Sequence, residues 1–105
     1  MNVKIYQIND NEERHNIIFM GYNHVKNIIG DIKQNLQKFY KMVYEYDESE
    51  IDNDDDVYVS LEKLFFMFNN NHPKDFKGHS LSVSDIIEIN NELYFCDSFG
   101  WEKIN

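Results

Sequence analysis

The apolar residues of this chain come in short runs whose spacing keeps changing. The longest strictly apolar run, Leu64-Phe65-Phe66-Met67-Phe68, has five residues, far fewer than the ~18 a membrane span needs. Alternating and three-to-four spacings follow one another, so strands and helices must share one small core. With 105 residues the chain has room for a single domain, residues 1–105. Such a domain buries roughly two-thirds of its unfolded surface.

Residues 2–8 set Val3, Ile5 and Gln7 against Lys4, Tyr6 and Ile8, the pattern of a first strand. A polar turn over residues 9–13 leads to the apolar residues Ile17, Ile18, Phe19 and Met20, read as a second strand over 16–20 that pairs with the first. Over 21–30 the period changes. Asn23 is a candidate cap, Val25, Ile28 and Ile29 share a face, and Gly30 is a left-handed stop. Residues 39–46 are rich in strand formers. Ser60 then reads as a helix cap, with Leu61, Leu64, Phe65 and Phe68 on one face and Pro73 forbidding continuation. After a polar loop, residues 85–89 and 93–97 form a hairpin about Asn90-Asn91, and Lys103-Ile104 suits an edge strand. The order β-β-α-β-α-β-β gives an α+β fold, a small mostly antiparallel sheet with two short helices.

Asn, Ile, Lys, Tyr and Phe make up 50 of the 105 residues, Ala and Thr are absent, and Arg14 is the only arginine. That bias points to an AT-rich genome, and its weak helix formers favour short helices. Cys96 is the only cysteine, which excludes an internal disulfide and suits a reducing compartment. Residues 1–10 lack the basic and apolar segments of a signal peptide, so a cytoplasmic location is expected.

Nineteen acids against ten bases give a net charge of −9, which argues against direct binding of nucleic acid through its phosphates. Eight of those acids, Glu45, Asp47, Glu48, Glu50, Asp52, Asp54, Asp55 and Asp56, fall in one stretch without a base. The remainder is nearly neutral, 11 acids against 10 bases. A calcium loop starting at Asp52 would need Gly where Val57 stands and Glu where Lys63 stands, so it is rejected. The run reads either as a solvated loop or as an electronegative surface that meets a basic protein groove. Weak cation binding is a lesser alternative. His72 and His79 lack zinc-ligand spacing, His15 and His24 are scattered, and no metal or cofactor is expected. Cys96 between Phe95 and Asp97 reads as a small buried hydrophobe. Gly-rich phosphate loops, GxSxG and metalloprotease helices are absent, and an enzyme is not expected.

Residues 71–89, Asn-His-Pro-Lys-Asp-Phe-Lys-Gly-His-Ser-Leu-Ser-Val-Ser-Asp-Ile-Ile-Glu-Ile, and Tyr94-Phe95-Cys96-Asp97-Ser98-Phe99-Gly100-Trp101 closely resemble the YodL-like domain family. Lys4-Ile5-Tyr6-Gln7-Ile8, Phe19-Met20-Gly21-Tyr22 and Met67-Phe68-Asn69 extend the resemblance. Where the family has a short connection with a Gly after the third strand, this chain has its acidic run. The resemblance implies a small cytosolic bacterial protein or a module of conjugative elements and phages, often near anti-restriction modules. It carries no implication of enzymatic activity. The expected function is a non-enzymatic inhibitor from a mobile element or phage. Its acidic run would occupy the basic groove of a host defence nuclease, a CRISPR effector first among them. The alternative is a cytosolic effector of bacterial actin and the wall-elongation machinery. His72, Asp75, Phe76, His79 and Trp101 form a secondary candidate interface. The Ser and Asp residues of the signature are expected to tie down turn amides.

Overall fold

Both faces of a single sheet are buried, and this explains why alternation and unbroken apolar runs occur in one short chain. The computed structural model describes residues 2–8, 17–47, 56–76 and 78–104. Its elements run β1 (Asn2–Ile8), α1 (Tyr22–Ile29), α2 (Leu36–Phe39), β2 (Tyr40–Asp47), α3 (Val57–Asn70), β3 (Ile86–Ile89), β4 (Glu92–Cys96) and β5 (Trp101–Ile104). The sheet order is β2-β1-β3-β4-β5, antiparallel at every pairing.

Side chains alternate across the sheet as the pleat requires. Val3, Ile5, Ile87, Ile89 and Tyr94 pack with Leu61, Leu64 and Phe68 of α3, and with Phe76 and Leu81 of the loop after it. On the other face Ile8, Ile86, Leu93, Phe95 and Ile104 meet Val25, Ile29, Ile32 and Leu36. Ile86 and Ile87 are therefore consecutive and both buried, each in a different core. A one-residue slip of β3 would exchange the two cores, so its register is strongly specified.

The α+β class, the antiparallel sheet and most elements match the expectation, but the order of elements does not. The second strand expected at 16–20 is absent: residues 17–19 form a turn closed by Met20 N–H donating to the Ile17 carbonyl at 3.1 Å, while Asn16 and the turn at 9–13 lie outside the described residues. The physical reason is that β1 already has neighbours on both edges, β2 and β3. Ile17 enters the core and the half-buried Ile18 packs against it, while Phe19 and Met20 are exposed. The described residues hold three helices rather than two. In α1, Val25 and Ile29 are buried, but Ile28 points outward. Gly30 closes α1 with φ 78°. The cap of α3 is Asp56, whose carboxylate accepts from Tyr58 N at 2.8 Å; Ser60 lies one turn later and is buried. Asn90 and Asn91 both take positive φ, 51° and 71°, as a two-residue hairpin turn demands.

Candidate functional site

The signature segment folds into a buried polar knot. Gln7 continues the inward face of Val3 and Ile5, which carries an amide into the core. Its Nε2 donates to the His79 carbonyl at 2.8 Å and to Asp85 Oδ2 at 3.0 Å, and its Oε1 accepts from His79 N–H at 3.1 Å. Asp85 is 0% exposed. Its Oδ2 also accepts from Ser82 N–H at 2.9 Å, while Oδ1 has no hydrogen-bond partner and lies 3.9 Å from His79 Nε2. The His79 Nδ1 is 2.7 Å from the Ser80 carbonyl, an acceptor that requires a proton on Nδ1. Burial pushes the Asp85 carboxyl up to about 8, against the Ser82 and Gln7 hydrogen bonds that favour its anion.

Neighbouring residues lock this knot to the rest of the fold. Ser84 Oγ accepts from Phe19 N–H at 3.0 Å, and the Ser84 carbonyl accepts from the Tyr40 hydroxyl at 2.7 Å. Ser84 N–H donates to the Cys96 carbonyl, and Cys96 N–H donates to that of Asp85. Gly78 is dictated by close approach: a Cβ there would collide with Gln7 Oε1 and stand 2.9 Å from Phe76 Cζ. Asp97 supplies the cap that α1 lacks locally. Its Oδ1 accepts from Tyr22 N–H at 3.1 Å and Ser98 N–H at 2.8 Å, across 75 residues in the first case. Cys96 is buried, and burial, followed by the nearby Asp85 charge, raises its thiol to about 12, so it stays protonated at neutral pH.

The secondary candidate residues divide between knot, core and surface. Phe76 belongs to the core, 4.9 Å from Phe68 between ring centroids. Asp75 accepts from the Tyr44 hydroxyl at 2.7 Å, which pins the loop to β2. His72 stacks at a tilt on Phe76 and lies 2.9 Å from the Pro73 carbonyl through Nδ1. His79 sits at the mouth of the knot with Phe19 edge-on to its ring. Trp101 packs against Phe65 and donates to Glu62 at 3.0 Å.

Of the acidic run, Glu48, Glu50, Asp52, Asp54 and Asp55 lie outside the described residues. Glu45 is on β2, 3.8 Å from Lys4, whose closer partner is Glu88 at 3.4 Å. Asp47 ends β2, and Asp56 begins α3 as its cap. The run thus joins the edge strand of the sheet to the first turn of the longest helix. Among the described residues no group of three or more His, Cys, Asp and Glu is arranged to hold a metal. No helix among them is long and apolar enough to cross a membrane.

A family model, the YodL-like domain, matches residues 2–105. The chain belongs to the YodL-like domain family. No curated protein and no solved structure matches it. In this YodL-like domain the signature at 71–101 holds the knot, the Asp97 cap and the Phe76 anchor. Its Ser and Asp residues do tie down turn amides, as expected. Gln7 and Asp97 were not singled out from sequence for these roles. The available signal for Gln7 was its place in the inward register of β1, a polar residue where Val3 and Ile5 predict core.

Proposed function

We propose that this YodL-like domain acts by binding and not by catalysis. It is a cytoplasmic inhibitor encoded by a mobile element or phage, and it occupies the basic nucleic-acid groove of a host defence nuclease. A CRISPR effector is the first target to test. The observation that carries the reading is the concentration of charge. Eight of 19 acids lie in 12 consecutive residues, and the rest of the chain is nearly neutral. Both ends of that stretch sit on ordered elements, β2 and α3. A focused negative surface gains from a basic groove the attraction that phosphates would otherwise supply, and it keeps nucleic acid itself away. The knot around Asp85 serves as scaffold, since Gln7 and Asp85 Oδ2 are spent on one another and on backbone groups of the loop. Plasmid-interference assays in a CRISPR-bearing host test the reading, paired with nucleic-acid loading of the purified effector. Restored plasmid uptake and blocked loading are expected. Unchanged interference across the host's defence systems would remove it.

A further inference from the structure

We propose that the turn over 97–100 and the cleft beside it form a docking surface for a protein partner that inserts an arginine side chain. It draws nothing from the acidic run, none of whose described residues lines the cleft, so it stands or falls apart from the inhibitor reading. The turn displays a ring. Asp97 N–H donates to the Gly100 carbonyl at 2.9 Å, Ser98 N–H donates to Asp97 Oδ1 at 2.8 Å, and Gly100 takes φ 80°. Phe99 in this turn is 98% exposed. An aromatic side chain held on a hydrogen-bonded turn offers a partner large contact area at little cost in conformational entropy. The turn over 17–20 lies alongside, since Tyr22 N–H donates to Asp97 and a Cβ on Gly21 would stand 3.4 Å from Ser98 Oγ. Phe19 and Met20 are exposed there, Phe19 at φ 65°, a left-handed backbone disfavoured for such a residue.

The cleft has a volume of about 240 Å³, room for one long side chain. Phe65 and Trp101 line it, with their rings edge-on at 6.3 Å. Among the described residues its charged lining is Glu62 and Asp97, with no base. Glu62 Oε1 accepts the Trp101 indole N–H at 3.0 Å, which fixes the ring and leaves Oε2 for a ligand. Asp97 spends Oδ1 on two backbone N–H groups and leaves Oδ2. The two charges converge on buried Cys96, whose thiol is raised by burial and then by Asp85, Glu62 and Asp97. An anion would face both carboxylates, and a neutral side chain would displace their water without replacing its hydrogen bonds. A guanidinium replaces them: it is planar, lies on an indole face and carries a fork of N–H donors for carboxylates. Phe99, Phe19 and Met20 need apolar cover, which a protein surface supplies and a free small cation does not. A second copy would set −9 against −9.

The probes are acetyl-arginine amide, the peptide acetyl-Leu-Arg-Leu amide, and the same peptide with citrulline, the uncharged isostere, in place of arginine. Trp101 is the only tryptophan, so its fluorescence and its indole N–H shift report on the cleft. The arginine peptide is expected to perturb both, together with the amides over 97–101. The citrulline peptide should bind roughly tenfold more weakly. Glu62→Gln should weaken the arginine peptide by a similar factor, since its amide oxygen still accepts the indole N–H but carries no charge. Phe99→Ser should cost roughly fivefold toward the peptide and leave acetyl-arginine amide unaffected. Glu62 and Phe99 are both exposed, so each variant should melt close to the parent, and either suffices if the other folds poorly. Equal binding of the citrulline peptide, shifts centred elsewhere, or undiminished binding by both variants would overturn the proposal. So would acetyl-arginine amide binding as tightly as the peptide, because the occupant would then be a free small cation. An oligonucleotide that shifts the same signals, or a dimer that Phe99→Ser dissolves, would likewise replace the partner with another occupant and overturn it.

Discussion

Replacing Asp85 with asparagine should remove a pH dependence from the stability of this protein. The carboxyl is fully buried, and its pKa rises from 3.8 to about 8 on folding. The folded state therefore holds the proton more tightly than the unfolded one. The stabilisation is complete below about pH 4, where both states are protonated, and is lost as pH rises toward 8. At about 1.4 kcal/mol per unit, a shift of this size sets a ceiling of about 6 kcal/mol on the loss. Asparagine keeps one oxygen to accept from Ser82 N–H and Gln7 Nε2, and it places an amide where Oδ1 has no partner, facing His79 Nε2. Urea unfolding of parent and Asp85→Asn at several pH values between 4 and 8 isolates this group, because the two proteins differ at no other side chain. The difference between them should move in favour of Asn as pH rises, by several kcal/mol across the window. Parallel stability curves would refute the assignment, and so would a variant that loses ground toward pH 8.

Three further substitutions probe the scaffold. Asp97→Ala uncaps α1 and should cost about 1 kcal/mol by chemical denaturation, within the usual range for a lost cap. Gly78→Ala drives a Cβ into Gln7 Oε1 and should cost about 1–3 kcal/mol, with a lower thermal midpoint. Ser60→Ala removes a buried hydroxyl that has no hydrogen-bond partner and improves helix propensity, so it should stabilise the fold by about 1 kcal/mol and raise the melting temperature. A fall would mean that Ser60 Oγ has a partner.

What could be read from sequence was what depends on neighbours in the chain. The alternation of Val3 and Ile5, the stripe of Leu61, Leu64 and Phe68, and the Asn90-Asn91 turn are local, and all are found in the structure. The false strand at 16–20 shows the limit. An apolar run says that something is buried, but the two partners of β1 lie more than 30 residues away, and they leave this run a turn in which Ile17 is buried and Ile18 half-buried. Asp56 was read for its charge, and the helix cap was assigned to Ser60; both residue types cap, and the backbone turn selects Asp56. The knot was illegible for a similar reason. Gln7 meets Asp85 across 78 residues, and Asp97 caps α1 across 75.

The role of Asp56 also defines the cleanest test of binding through the acidic run. Reversing Asp56 would damage α3, so the charges to reverse are Asp54 and Asp55, with Asp56 kept. The measurement is the association rate with the purified CRISPR effector at low and at physiological salt, for the parent and for Asp54→Lys with Asp55→Lys. The reversal is expected to slow association roughly tenfold or more at low salt, with the gap closing as salt screens exposed charges over ~8 Å. Equal rates for the two proteins at low salt would contradict docking through the acidic run.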